Sequence, residues 1–93
     1  MAKSVALRVI TPEGVAVEDD AVSIIAPGEP GYLGILANHA PLVTTLKPGT
    51  LTWRQPGGQT RTARIGEGLL EIAQNHLTIL TSAISRSEGQ AGA

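Results

Sequence analysis

The chain has no cysteine and no phenylalanine, and its 93 residues include one tryptophan, one tyrosine and one methionine. Without cysteine there can be no disulfide framework, thiolate zinc site or cysteine nucleophile. Without phenylalanine the core must be assembled from Val, Ile, Leu and Ala, which suits flat packing between β-sheets. Charge of one sign is also missing: seven Lys and Arg face eight Asp and Glu, for a formal net charge of −1. No basic field results, and nucleic acid is not an expected partner. Long apolar runs are absent too, none approaching the roughly 18 residues that cross a bilayer as a helix. Met1-Ala2-Lys3-Ser4 leads straight into an apolar alternation rather than into the apolar stretch of a signal peptide. These absences describe a soluble intracellular protein that would meet a membrane through a partner. At this length one domain is expected, burying about 60–65% of its unfolded surface.

What is present is punctuation. Turn signals recur at Thr11–Gly14, Pro27–Gly31, Ala37-Asn38, Lys47–Gly49, Gln55–Gly58, Gly66–Gly68 and Gln74-Asn75. Between them lie runs of Val, Ile, Leu and Thr short enough to be antiparallel strands, which predicts an all-β fold, a flattened antiparallel sandwich or barrel of about nine to ten strands. Val5, Leu7 and Val9 alternate with Ala6, Arg8 and Ile10, and Leu51 and Trp53 with Thr50, Thr52 and Arg54. Leu77 and Ile79 likewise alternate with His76, Thr78 and Leu80. Ala21–Ala26 is nearly all apolar and reads as a strand covered on both faces. Leu51–Arg54 and Thr60–Ile65 form a hairpin around Pro56-Gly57-Gly58. No 3.6-residue period is sustained, so little or no helix is expected. The sandwich should occupy residues 1–85, with 86–93, small and polar, as a flexible tail.

Candidate chemistry is sparse. His39 and His76 lack the partner spacing of a metal or general-base site, and His39 sits among apolar residues that suggest burial. Gly66-Glu67-Gly68 begins like a dinucleotide fingerprint but has no third glycine and no following helix, so it reads as a tight connection using positive φ. Glu18-Asp19-Asp20 reads as a solvated acidic run at a strand end, without the concave apolar surroundings that would perturb its pKa values. Arg54, Arg61 and Arg64 fall on one hairpin without interleaved aromatics, a charged sheet face or protected edge. Trp53 is expected in or near the core. No catalytic residue, metal or cofactor is expected. Two rival readings are a free-standing β-sandwich interaction module with an unrelated partner and a small metal-binding or catalytic barrel, which would need a pocket of converging polar groups.

Two separated blocks carry a more specific signal. Gly31-Tyr32-Leu33-Gly34-Ile35 with His39-Ala40-Pro41-Leu42 and Pro48-Gly49 forms the first; Gly66–Ile72 with His76–Leu80 forms the second. In order and distance they resemble the epsilon subunit of F-type ATP synthases, across about residues 4 to 86. The resemblance implies a non-catalytic rotor subunit of a proton- or sodium-driven enzyme, docking the gamma subunit onto the c-ring. It would be peripheral, on the cytoplasmic side of a bacterial plasma membrane or an equivalent membrane, and held there through the complex. It further implies a c-ring contact at Glu29, Pro30, Gly31 and Tyr32 and a gamma contact at Thr11, His39, Pro41 and Thr44. Tyr32 stands where many relatives carry Glu or Asp, so apolar area and one hydroxyl replace a charge, with Glu29 three residues upstream able to supply it. Nothing after Ser85 in this sequence could form the two inhibitory helices of longer family members, so it is either a short form or part of a longer chain.

Overall fold

A computed structural model describes residues 3–86. Its strands are β1 (Val5–Thr11), β2 (Gly14–Ala21), β3 (Ser23–Gly28), β4 (Gly31–Leu36) and β5 (Leu42–Leu46), followed by β6 (Gly49–Arg54), β7 (Thr60–Ile65), β8 (Gly68–Ala73), β9 (His76–Thr81) and β10 (Ile84–Arg86). There is no helix among the described residues. Arg86, assigned to the tail by sequence, closes β10 opposite Ala63; the remainder of that tail, 87–93, lies outside the described residues.

Hydrogen bonding runs along one path, β10-β7-β6-β3-β5-β8-β9-β1-β2, with β4 attached to β3. The path folds into two layers, β4-β3-β6-β7-β10 and β5-β8-β9-β1-β2. Their join between β3 and β5 is a single register pair, Gly28↔Leu46. At a second corner the β7–β8 and β9–β10 connections cross between layers together, linked by Gly66 N–H to Ala83 O and Ser82 N–H to Glu67 O. The Thr81 hydroxyl sits inside this corner, 2.9 Å from Gly66 O and within 3.2 Å of the Glu67 and Ala83 carbonyls. One buried hydroxyl, with a single hydrogen to donate, is shared there among the carbonyls that the bend brings together.

Alternation fixes which residues enter the core. Val5, Leu7, Val9, Leu51, Trp53, Leu77 and Ile79 are all buried, joined by Ile24, Ile35, Leu70 and Ile72. The aliphatic core between sheets is therefore as expected, with Trp53 its largest member. Three expectations need correction. The pairing is not wholly antiparallel, because β1 and β9 run parallel from Ala6↔His76 to Ile10↔Leu80. Ala21–Ala26 is not one strand covered on both faces: the chain turns between β2 and β3, and Ile25 points outward, 48% exposed. Gly66 and Gly68 do not have positive φ, which among the described glycines belongs to Gly14, Gly31, Gly57 and Gly58. Gly68 is needed for space instead, since a Cβ there would collide with the Leu80 carbonyl of the neighbouring strand.

Candidate docking surfaces

The β3–β4 hairpin turns through Glu29 and Pro30, with Gly28 paired to Gly31 and Pro27 to Tyr32. Glycine is required at Gly28, because a Cβ would lie 2.7 Å from Gly31 O and from a Leu33 methyl. Two sets of bonds hold this tip to the body. On one side Glu29 N–H donates to Thr45 O and Lys47 N–H to Pro27 O, while the Thr45 hydroxyl donates to the Glu29 carboxylate at 2.7 Å. On the other, the Tyr32 hydroxyl accepts from Thr50 N–H at 3.1 Å, so the ring leans over Pro27 toward Gly49 at the start of β6. Tyr32 remains 55% exposed and is not core. The four residues chosen for a ring contact, Glu29, Pro30, Gly31 and Tyr32, thus form one braced projection, on a strand hairpin rather than a free loop.

The gamma set is less compact. His39 and Pro41 sit together in the β4–β5 connection. His39 is half-exposed rather than buried, and its Nδ1 lies 2.6 Å from Ala40 O. A carbonyl only accepts, so that nitrogen carries the proton. The local tie next to Pro41 is present. Thr44 lies mid-strand, paired with buried Leu70 and facing the same side as Leu42 and Leu46. Thr11, 9% exposed, ends β1 beside the Leu46–Gly68–Thr81 row, at the hairpin-tip end of the sheet and away from His39. Its hydroxyl is occupied by Glu13 and Gly14 O. The fold therefore brings His39 and Pro41 together and separates Thr11 from them.

The acidic run differs from its sequence reading. It lies within β2, and its carboxylates divide between functions. Glu18 pairs with Arg8 at 3.0 Å on the surface. Asp19 accepts from the Trp53 indole N–H at 2.9 Å and from Gln55 Nε2 at 2.7 Å, tying β2 to the opposite layer. Partial burial works to raise the Asp19 pKa, but the Trp53 and Gln55 hydrogen bonds, the Asp20 amide and the Arg61 charge outweigh it and hold it below 3.8. The surroundings are concave, an open depression lined by Ala6, Leu7, Arg8, Asp20, His76 and Thr78 besides Glu18 and Asp19. Among the described residues no group of three or more His, Cys, Asp or Glu could hold a metal ion. Arg54, Arg61 and Arg64 lie on the β6–β7 hairpin, where Arg64 reaches Thr50 Oγ1 at 3.4 Å.

One surface escaped sequence reasoning. Register places Leu69, Leu80, Ile10 and Val15 side by side across β8, β9, β1 and β2. Leu69, Leu80 and Val15 are 40%, 46% and 51% exposed, giving an apolar row on the outer face of that layer. Each residue looks unremarkable in its own strand, and pairing alone aligns them.

The comparisons with known proteins agree with this geometry. The family model described as ATP synthase, Delta/Epsilon chain, beta-sandwich domain matches residues 4–87. The ATP synthase epsilon chain of Desulfosudis oleivorans is 36% identical over 95% of the chain and 66% of the relative. That of Moorella thermoacetica is 41% identical over 91% of the chain and 63% of the relative. The chain thus spans about two-thirds of the length of these curated relatives. Among solved structures, a chain of the Euglena gracilis mitochondrial ATP synthase OSCP/F1/c-ring assembly superposes with TM-score 0.86 at 18% identity, over 99% of this chain and 61% of that one. A chain of the Tetrahymena thermophila mitochondrial ATP synthase central stalk and c-ring gives 0.71 at 20% identity, over 89% and 66%. At those identities the superpositions speak to the fold.

Proposed function

This chain belongs to the ATP synthase delta/epsilon β-sandwich family, and from that premise we propose that it is a non-catalytic part of the rotor, holding the gamma subunit to the c-ring. The braced β3–β4 tip is the observation that supports this reading most directly. A part that carries torque needs a contact that does not hinge. Here the tip is tied to β5 through Glu29 and Thr45 and to β6 through Tyr32 and Thr50. Preorganisation of that kind lowers the ordering cost of association. Glu29 and Pro30 are exposed at the apex with Gly31 and Tyr32 beside them, a combination of one carboxylate, one aromatic anchor and little flexible side chain.

Gamma would meet His39 and Pro41 at the far end of β4, with Thr44 contributing from β5, while Thr11 lies apart from these at the tip end of β1. In this reading the chain reaches a membrane through the ring, and no helix among the described residues is long and apolar enough to span one. The coupling ion, proton or sodium, belongs to the ring rather than to this sandwich. The rotor reading is tested by co-expressing the chain with its gamma subunit and separating the products by size. A one-to-one complex that also captures c-ring in detergent is expected. A folded chain that elutes alone would refute the rotor role and favour a free-standing interaction module.

A further inference from the structure

Apart from β5, whose free side is cut to Leu42–Thr44 because Gly28 and Glu29 already bond it at Leu46 and Thr45, three strands among the described residues carry a free edge, and two of these are protected. The β2 edge bears Glu18, Asp19 and Asp20 and is broken by the register shift opposite Val9 and Ile10. The β10 edge is a three-residue strand ending in Arg86. Charge, irregularity and shortness are the usual means of preventing strand addition. The third edge has none of them. β4 pairs with β3 over its full length and with no other strand among the described residues, and Gly31–Leu36 contains no charge and no proline.

The side chains along this edge are shaped to receive something. On the outer face Tyr32 and Leu36 stand 55% and 62% exposed, with Ile25 of β3 at 48% between and behind them. Gly34 pairs with Ile25, and a Cβ added at Gly34 would meet no atom within 4 Å. The result is a notch floored by Gly34 and Ile25 and walled by Tyr32 and Leu36. Large side chains opposite a strand glycine cover this kind of gap.

We propose that β4 receives an extended strand of the gamma subunit, added edge to edge, with a large apolar side chain opposite Gly34. The inference rests on the rotor reading and names how gamma would be held. Its location is continuous with that reading, since β4 runs from the braced tip at Gly31 to the connection bearing His39 and Pro41. A second copy of this chain fits less well. A register that sets its Leu36 against Gly34 overlaps the two strands only over Gly34–Leu36 and leaves the Tyr32 half of each edge open. Antiparallel self-pairing that sets Gly34 against Gly34 leaves both notches empty. Self-pairing that sets Tyr32 against Gly34 needs a ring already spanning Pro27 to reach the Thr50 amide.

The test is amide hydrogen exchange along β4, in the chain alone and in its complex with purified gamma. Edge-facing amides should exchange rapidly in the free chain and slow by on the order of 100-fold in the complex. Gly34→Lys, which has room and ordinary backbone geometry, should weaken gamma binding at least about tenfold without lowering Tm, whereas Gly34→Ala should bind normally. If Gly34→Lys fails to fold, the exchange result decides alone. A complex in which β4 stays unprotected overturns the strand addition and leaves the rotor reading intact. Absence of any complex overturns both. Protection that grows with concentration in the free chain, alongside a dimer in sedimentation, assigns the edge to a second copy and overturns the proposal.

Discussion

Replacing Asp19 with alanine removes the acceptor of a nearly solvent-free donor. Trp53 is 1% exposed and its indole N–H points at the Asp19 carboxylate. Leaving a buried donor unsatisfied costs about 1–3 kcal/mol, with bonds to charged groups in the upper part of that range. Asp19 itself is partly solvated, and water screening discounts its charge. The expected loss for Asp19→Ala is therefore about 1–2 kcal/mol. For a domain of this size each kcal/mol moves Tm by about 4–8 °C, so a drop of roughly 4–16 °C should appear in thermal unfolding. The chain's one tryptophan supplies its own fluorescence signal. The pH dependence follows from the lowered pKa: the carboxylate's contribution is present above its ordinary value of 3.8 and is lost as pH falls through the folded value. The gap between wild type and Asp19→Ala should narrow as the medium becomes more acidic than that. A double-mutant cycle with Trp53→Phe isolates the bond from the packing change. Additive losses in that cycle, or an Asp19→Ala variant within about 0.5 kcal/mol of wild type, would refute the link between layers.

Other positions give shorter tests. Gly68→Ala must displace the Leu80 carbonyl of the paired strand and should lose about 1–3 kcal/mol in urea unfolding; a neutral result would mean the corner adapts freely. Tyr32→Ala should weaken c-ring binding by about 1–3 kcal/mol while Tm falls only slightly, because the ring is exposed and water can replace its hydroxyl at the Thr50 amide. A large Tm loss would instead make Tyr32 structural. Asn75→Ala, at φ 62 and with its side chain bonded to Asn38, should cost about 1–2 kcal/mol by thermal melt. His39→Ala should lower gamma affinity in calorimetric titration, and unchanged affinity would remove His39 from that contact.

Sequence alone determined the class of fold, because alternation at Val5–Val9, Leu51–Trp53 and Leu77–Ile79 is a local property that survives any register. It also determined the turns. Gln74-Asn75 takes left-handed backbone at both residues, and Pro56-Gly57-Gly58 closes the hairpin foreseen between β6 and β7. The Gly31–Gly49 block likewise carried the family, and the compact β3–β4 tip was legible because its residues, Gly28 to Tyr32, are neighbours along the chain. Tertiary structure decided everything that depends on which strand lies beside which. The parallel β1–β9 pair joins strands far apart in sequence, and no local pattern specifies it. Register alone lines up Leu69, Leu80, Ile10 and Val15, turns Asp19 toward Trp53 and separates Thr11 from His39. Gly68 illustrates the same division: sequence marks the position as a turn glycine, while the reason for it is a carbonyl of another strand occupying the place where a side chain would be.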